Sequence, residues 1–543
     1  MERFPPSSCC CRMEPEEDFR ICSADEEAVD NLAQSSQIPT GMIGPDSTNA
    51  GAQVVIPSSS GTSSLEDLEA ATAILTQRSL FRPDLMRGVS LRSTLRQGGW
   101  LWLYSPSVLS FEKRKQVFAT SKPTERFDKF LSHTWWTHGK WKMLSLLIHF
   151  GWPTMLIAWT LGITLSFVLS FMGVLPACTS FEVHAIEFHG QVPYGCWIML
   201  TGLMAPIAGL MAFPYLPRLH GSDTCFLDFV CINQTDTDEM QQGIRCIGHF
   251  LAATAELRVL WSAPYLSRLW CVFELAAYRK MNPSGTIVIA PIFRELLACK
   301  SFLWVNLFTF TFWFSRRGPE GGGGVRLLAV FLCAFAVVFP SLAHVAWKQK
   351  LDRDKLDSDL ATFDVLKVEC RSDFDRQCIY DAIIQWYGSL AAFSAHVQGP
   401  FRQEVVRLMR AGGSVPFAYV WLSLSPIFCL SLEGFVALWR ANAPMESVLG
   451  FAVGHLLAHD ILWLPSIVIL YHFTTRRDFR CWTCGSKSFA LESVVAAIFF
   501  CVLFTGGSMV TVFVASRNFG WVLAWMVTAL AVAGVSWGFC WRI

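Results

Sequence analysis

The stretch YLSRLWCVFELAAY, residues 265–278, holds a single carboxylate, Glu274, among apolar neighbours. Left without partners there, a carboxylate costs several kcal/mol, so it either reaches water or meets groups prepared for it. If prepared, it can orient hydroxyls or stabilise developing positive charge. Trp270 lies one helical turn earlier on the same face, where it can wall a pocket. A second set sits in long apolar stretches: Glu433 in one, and His455, His459 and Asp460 in the next. Ionisable groups inside lipid mark a functional site by default. Counted inward from the outer ends of their stretches at ~1.5 Å per residue, Glu433 and His455 lie at matching depths, which predicts a hydrogen bond between them. His455 and His459 share a helical face that suits zinc, against the simpler reading of a polar clasp between helices.

Three other sets read as structure more readily than as chemistry. Asp236, Asp238 and Glu239 have the make-up of a divalent-cation site, but the helix dipole alone favours acids at a helix start. Cys481 and Cys484 form a C-x-x-C pair with no second ligand pair nearby, and Cys9, Cys10 and Cys11 suit S-acylation or a plain tail. No metal is expected at any of them.

The elements that position these residues start with the membrane. With 52% hydrophobic and only 16% charged residues, the chain reads as a multi-span membrane protein, and a net charge of +1 with no basic run excludes a nucleic-acid partner. A span needs ~20 mainly apolar residues. Eight stretches qualify: 144–173, 194–214, 296–314, 326–347, 416–439, 447–472, 490–515 and 519–541. Segment 176–193 has no Lys or Arg, whereas 348–414 and 474–488 have many, so the positive-inside bias puts both termini in the cytosol. The arginines of loop 315–325 run against that frame. The cysteines are scattered instead of forming an extracellular framework, so most are expected to be reduced.

The expected organisation is then a disordered tail at 1–85 with a short helix near 64–78, and cytosolic segments at 86–142, 216–295 and 348–414. Membrane hairpins fall at 143–215 and 296–347, and four spans at 415–543. In the cytosolic pieces strand signals alternate with helix signals. FDKFLSH (127–133), CFLDFVCI (225–232), LRVLWSA (257–263), GTIVIAPIF (285–293) and FDVLKVEC (363–370) read as strands; TDTDEMQQ opens an acid-capped helix, and SDFDRQCIYDAIIQWYG is a helix closed by Gly388. This predicts an α/β parallel-sheet, flavodoxin-like domain combined with a transmembrane helical bundle. In such a sheet the ligand crevice lies beyond the carboxyl ends of the strands, near His133, Asn233 and the helix bearing Glu274.

Here the residues resemble a family. FDKFLSH, CFLDFVCINQ, RVLWSAPYLSRLWCVFELAAY and TIVIAPIF follow the order of elements in Toll/interleukin-receptor (TIR) domains, whose third strand precedes a similar W-C-x-x-E-L helix. FLDFVCINQTDTDEMQQ also resembles the heterokaryon-incompatibility (HET) domain signature D-x-x-C-I-N-Q-x-D. The resemblance covers about 130 residues in three pieces, interrupted by the two membrane hairpins. It implies signalling by self-association in a homo-oligomer, and NAD⁺ as the substrate of a glycohydrolase in which Glu274 is catalytic; His133 and Asn233 at the strand ends and Trp270 beside Glu274 are then the residues expected to contact the dinucleotide. The alternatives are a non-enzymatic membrane scaffold and a transporter or channel with a regulatory domain. In the scaffold reading Glu274 pairs with Arg268 or Arg279 and anchors its helix. In the catalytic reading it faces the carboxyl edge of the sheet with Ser132, Thr134 or Asn233 as polar partner.

Overall fold

Eight short runs of extended backbone account for the strands of this computed structural model, which describes residues 83–217, 221–315, 351–352, 354–370, 372–412, 416–476 and 488–540. They are β1 Arg87–Ser90, β2 Lys122–Pro123, β3 Phe127–Ser132, β4 Thr179–Ala185, β5 Phe188–Tyr194, β6 Thr224–Phe226, β7 Thr254–Trp261 and β8 Thr286–Pro291. Six form one sheet in the order β2-β1-β6-β3-β7-β8, and β4 and β5 form a separate hairpin. Pairings from β6 to β8 are parallel, whereas β1 joins β6 and β2 antiparallel. In chain order the parallel strands run 2-1-3-4, the doubly wound pattern whose switch point lies between β3 and β7. Strands 127–132 and 224–226 are thus neighbours despite the membrane hairpin between them, as the return of a hairpin to its own side requires. Phe127, Phe130, Phe226 and Phe250 pack as one aromatic group on this sheet, with ring centroids 4.6–6.0 Å apart.

Two of the expected strands are corrected. The apolar run 225–232 is extended only through Phe226; Asp228–Cys231 form a helical turn, begun where Asp228 Oδ1 accepts the Phe229 N–H at 2.8 Å. Residues 363–370 hold a 3-10 turn at Val365–Lys367 and an isolated bridge from Glu369 to Arg268. Side chains serve that backbone in place of a ladder: Ser394 Oγ accepts from Val365 N, while Tyr380 and Gln398 donate to the carbonyls of Val365 and Phe363. β1 and β2, too short to show a pattern in the sequence, add an antiparallel margin to the expected sheet.

The helices used below are α1 Gly139–Phe171, α2 Trp197–Ala212, α3 Thr237–Arg245, α4 Leu269–Met281, α5 Ile292–Ser315, α6 Asp373–Tyr387, α7 Arg402–Gly412, α8 Phe417–Arg440, α9 Ser488–Ala515 and α10 Phe519–Cys540. Between α8 and α9 run three consecutive helical stretches, Met445–Phe451, Ala452–Trp463 and Leu464–Arg476, the middle one π-wound. Asp236 caps α3 by accepting from Asp238 N and Glu239 N, and Gly388, at φ +82°, ends α6.

Seven helices among the described residues are long and apolar enough to cross a bilayer, so the chain reads as an integral membrane protein. The expected span 326–347, the helix near 64–78 and the Cys9–Cys11 and Cys481–Cys484 groups lie outside the described residues. α1 serves two roles. Its early turns lie on the sheet, where Lys129 of β3 and Arg258 of β7 rest on the Phe150 ring at 5.5 and 5.0 Å, and it then continues as an apolar span. The membrane hairpin therefore extends the first crossover helix. Its start needs glycine: a Cβ on Gly139 would meet the Trp102 carbonyl oxygen at 1.4 Å.

Candidate functional site

β3 ends at Ser132, beside β7 at the switch point, and α4 lays Glu274 against that end. Ser132 Oγ donates to Glu274 Oε2 at 2.5 Å and meets the Tyr265 hydroxyl at 2.5 Å, while Tyr265 OH donates to the Cys271 carbonyl at 3.2 Å. Because Ser132 spends its proton on Glu274, the single Tyr265 proton is shared between Ser132 Oγ and the Cys271 carbonyl, which also belongs to the α4 backbone ladder. Burial, helped by the nearby Asp228 charge, pushes the Glu274 carboxyl up to about 8 even though the Ser132 hydrogen bond pulls it down. Its surroundings thus favour the neutral carboxyl near pH 7.

Neither Arg268 nor Arg279 supplies a counter-charge to it. Arg268 lies 3.7 Å from Glu369, and Arg279 reaches Glu404 on α7 at 2.5 Å. Of the three expected polar partners Ser132 is the one used. Asn233 spends its amide on its own loop: Nδ2 donates to Glu239 at 2.9 Å, and Oδ1 accepts from both Thr235 N and Thr235 Oγ1. Thr134 is buried, with its carbonyl taken by Lys142 Nζ at 2.9 Å.

The residues expected to contact a dinucleotide therefore separate. The His133 ring, 8% exposed, stands between Trp102 and Trp135 at 5.6 and 4.8 Å. Burial and the Lys142 charge hold its pKa well below the usual histidine value, so the ring is neutral and cannot hold a phosphate by charge. Its Nε2 is buried with no hydrogen-bond partner among the described residues. Trp270 turns to α6, donating from Nε1 to Asp375 Oδ2 at 3.0 Å and packing on Phe273 at 5.6 Å, so it does not wall the Glu274 site through these contacts. Asp228 hydrogen-bonds Phe229 N and accepts from Trp135 Nε1 at 3.4 Å, and burial raises its pKa. The Asp236, Asp238 and Glu239 group serves the cap of α3 and Asn233.

In the helical bundle the expected pair is not formed. Glu433 of α8 instead meets the first turn of α2, where Oε1 accepts the Ile198 N–H at 2.6 Å. A helix N-terminus is a natural anion site. Its other oxygen, Oε2, packs where Gly195 leaves room, since a Cβ there would come within 2.7 Å. His455 stacks on Phe451, ring centroids 4.3 Å apart. His459 uses Nδ1 on Asp460 at 2.7 Å and Nε2 on Ser508 of α9 at 3.1 Å, which makes it a clasp between helices; with both nitrogens engaged it is not poised for zinc.

A further carboxylate is one the sequence pattern did not single out. Glu295, fully buried in the first turn of α5, accepts from Arg294 Nε and Nη2 at 2.9 and 2.6 Å and from Ser145 of α1 at 3.0 Å, with Tyr419 of α8 at 3.5 Å and His149 Nδ1 at 3.7 Å. It joins the end of β8 to three membrane helices. Its signal was the adjacent Arg-Glu pair directly after a strand, just outside the expected span. Compared with models of protein families, with curated proteins and with solved structures, the chain matches none.

Proposed function

We propose that the chain is a multi-pass membrane protein whose α/β domain lies on the cytosolic side and acts in signalling or self-recognition, in the manner of TIR and HET domains, with NAD⁺ as substrate. The observation that supports this is the position of Glu274: the helix after the third parallel strand turns its one carboxylate onto the end of the first, at the switch point of a 2-1-3-4 sheet. In the reaction the bond from ribose C1′ to the nicotinamide nitrogen breaks and nicotinamide leaves neutral. Water adds to C1′ and loses one proton, giving ADP-ribose. Ionised Glu274 orients the ribose hydroxyls, which replace Ser132 as its partners, and stabilises the oxocarbenium-like charge.

The second reading, a non-enzymatic scaffold that self-associates, is supported by the burial that favours the neutral Glu274 carboxyl and by the Ser132 hydroxyl that occupies it. One experiment separates them. The full chain in lipid nanodiscs, purified as the oligomer, is incubated with NAD⁺ and nicotinamide is measured. The catalytic reading expects release by the wild type and loss in Glu274→Gln, with folding retained. No release by an oligomeric wild type leaves the scaffold.

A further inference from the structure

The β4–β5 hairpin joins α1 to α2 on the face opposite the proposed cytosolic side, and the redox chemistry proposed for it rests on that orientation. Two cysteines stand at its base. Cys178 directly precedes β4, and its N–H donates to Tyr194 O at 2.9 Å, the last residue of β5; Cys196 lies two residues further on. Their sulfurs are 3.1 Å apart, Cys178 is exposed and Cys196 half-buried. The backbone that sets this approach is held at the far end too: Ile186 at the hairpin tip is buried, its N–H donating to Ala515 O and its carbonyl accepting from Ser447 Oγ. The other cysteines whose side chains the structure describes are buried or half-buried.

We propose that Cys178 and Cys196 form a disulfide in the mature protein, and that this face lies in an oxidising compartment. The oxidant is a disulfide of the glutathione or protein-dithiol class. One cysteine thiolate attacks it, breaking the oxidant's S–S bond and releasing one thiolate as the mixed disulfide forms; the second cysteine then attacks that mixed disulfide, so the Cys178–Cys196 bond forms as the mixed S–S bond breaks and the second thiolate leaves. Both protons end on the oxidant's two thiols. The test is mass spectrometry of a non-reduced digest of membranes isolated in N-ethylmaleimide. A linked peptide containing both cysteines, lost on reduction and absent in Cys178→Ser, is expected. Alkylated Cys178 and Cys196 in the protein as isolated overturn the proposal. Adding oxidised glutathione then separates the causes: a link that forms indicts the orientation, and none indicts the geometry.

A different observation on the same hairpin carries a second inference. Period-two alternation puts Glu182 and His184 on its outer face, and the register sets His189 opposite His184 and Gln191 opposite Glu182. The inner face, with Phe181 and Val192 buried, is what fixes that choice of face. His184 and His189 rings are 3.9 Å apart and His189 Nε2 is 3.4 Å from Glu182 Oε1; the ligand atoms of all three lie within 4.8 Å of one another. No Lys or Arg between 176 and 193 competes for the carboxylate. The geometry points to a divalent transition-metal site of the His-His-Glu kind, with a coordination position left open.

Zinc chloride titrated into the full chain in nanodiscs, read by competition with a chromophoric chelator, is expected to fill one site that disappears in His184→Ala/His189→Ala. Glu182→Gln should weaken it by about 10-fold or more, since it removes the one anionic ligand and even outer partners of a metal's ligands are worth that much. All three side chains are exposed, so folding is expected to survive, and circular dichroism checks it. Equal zinc uptake by wild type and the double variant overturns the site.

Discussion

Glu295, fully buried, and Glu274, half-buried, both lie at carboxyl ends of strands of one sheet, yet their surroundings are opposite. Glu295 meets a guanidinium, an imidazole and two hydroxyls, which together replace the water it gave up. Glu274 meets one serine hydroxyl and no cation among its hydrogen bonds. The first is a permanent ion cluster that ties β8 to α1, α5 and α8. The second keeps its proton and holds its capacity for charge in reserve. Burial of a carboxylate alone therefore does not mark a working site; the sign and number of its partners do.

The largest effect that would break this contrast is at the membrane junction. Glu295→Gln removes the charge facing Arg294 and leaves a buried guanidinium uncompensated, an expected loss of ~3–5 kcal/mol. Thermal unfolding in nanodiscs reads it directly, and a variant as stable as the wild type would remove Glu295 from the role of anchor. Glu274→Gln, which swaps a neutral carboxyl for a neutral amide, should cost far less near neutral pH.

The next effect is in pH. With its folded pKa pushed up to about 8 from the ordinary 4.5, Glu274 keeps a proton in the folded state that the unfolded chain has lost. Its contribution is fully present below about 4.5, declines as pH rises and is gone above about 8, with a slope of at most ~1.4 kcal/mol per unit. Stability of the wild type relative to Glu274→Gln, measured from pH 5 to 9, should fall across that window. If NAD⁺ is cleaved, kcat/KM should climb over the same range, because the free enzyme must ionise Glu274 before it acts. A flat difference would mean that Glu274 is charged at rest.

Much of this was legible in the residues. β8 is a continuous apolar run, and β3 and β7 are buried toward their carboxyl ends, at Phe130–Ser132 and Leu257–Trp261, a pattern the sequence displays. That Glu274 lies at the carboxyl edge of the sheet followed from strand direction and the position of its helix; which of Ser132, Thr134 and Asn233 would meet it did not. Other features were hidden by local competition: an apolar run reads alike as a buried strand or a buried turn, so Asp228–Cys231 reads as β structure until its backbone is seen. In 363–370, Phe363, Val365 and Val368 are buried as a strand's would be, but side chains from later helices took the hydrogen bonds. Depth counting placed Glu433 level with His455 but could not tell which neighbour its helix would face.

Ser132→Ala sharpens the contrast at smaller cost. It removes the one hydroxyl that favours the ionised form, so the Glu274 window should move to higher pH while stability falls by ~1 kcal/mol. Tyr265 keeps its bond to Cys271 O, which limits the damage. A window that stays in place would show that Ser132 does not set the proton affinity.

The smallest effect separates the Trp270 expected from sequence from the one in the fold. Its indole N–H is spent on half-buried Asp375 of α6, and its ring packs on Phe273, which in turn stacks on Trp386 at 5.4 Å. Trp270→Phe keeps most of that packing and removes the donor, so the loss should be ~0.5–1.5 kcal/mol. The Asp375 carboxyl, already raised by burial and lowered only by the tryptophan's hydrogen bond, should titrate higher still. If Trp270 belongs to the α4–α6 contact alone, any nicotinamide release and its KM for NAD⁺ stay at wild-type values while stability drops. A rise in KM at unchanged stability would return Trp270 to the pocket and mean that α4 turns when substrate binds.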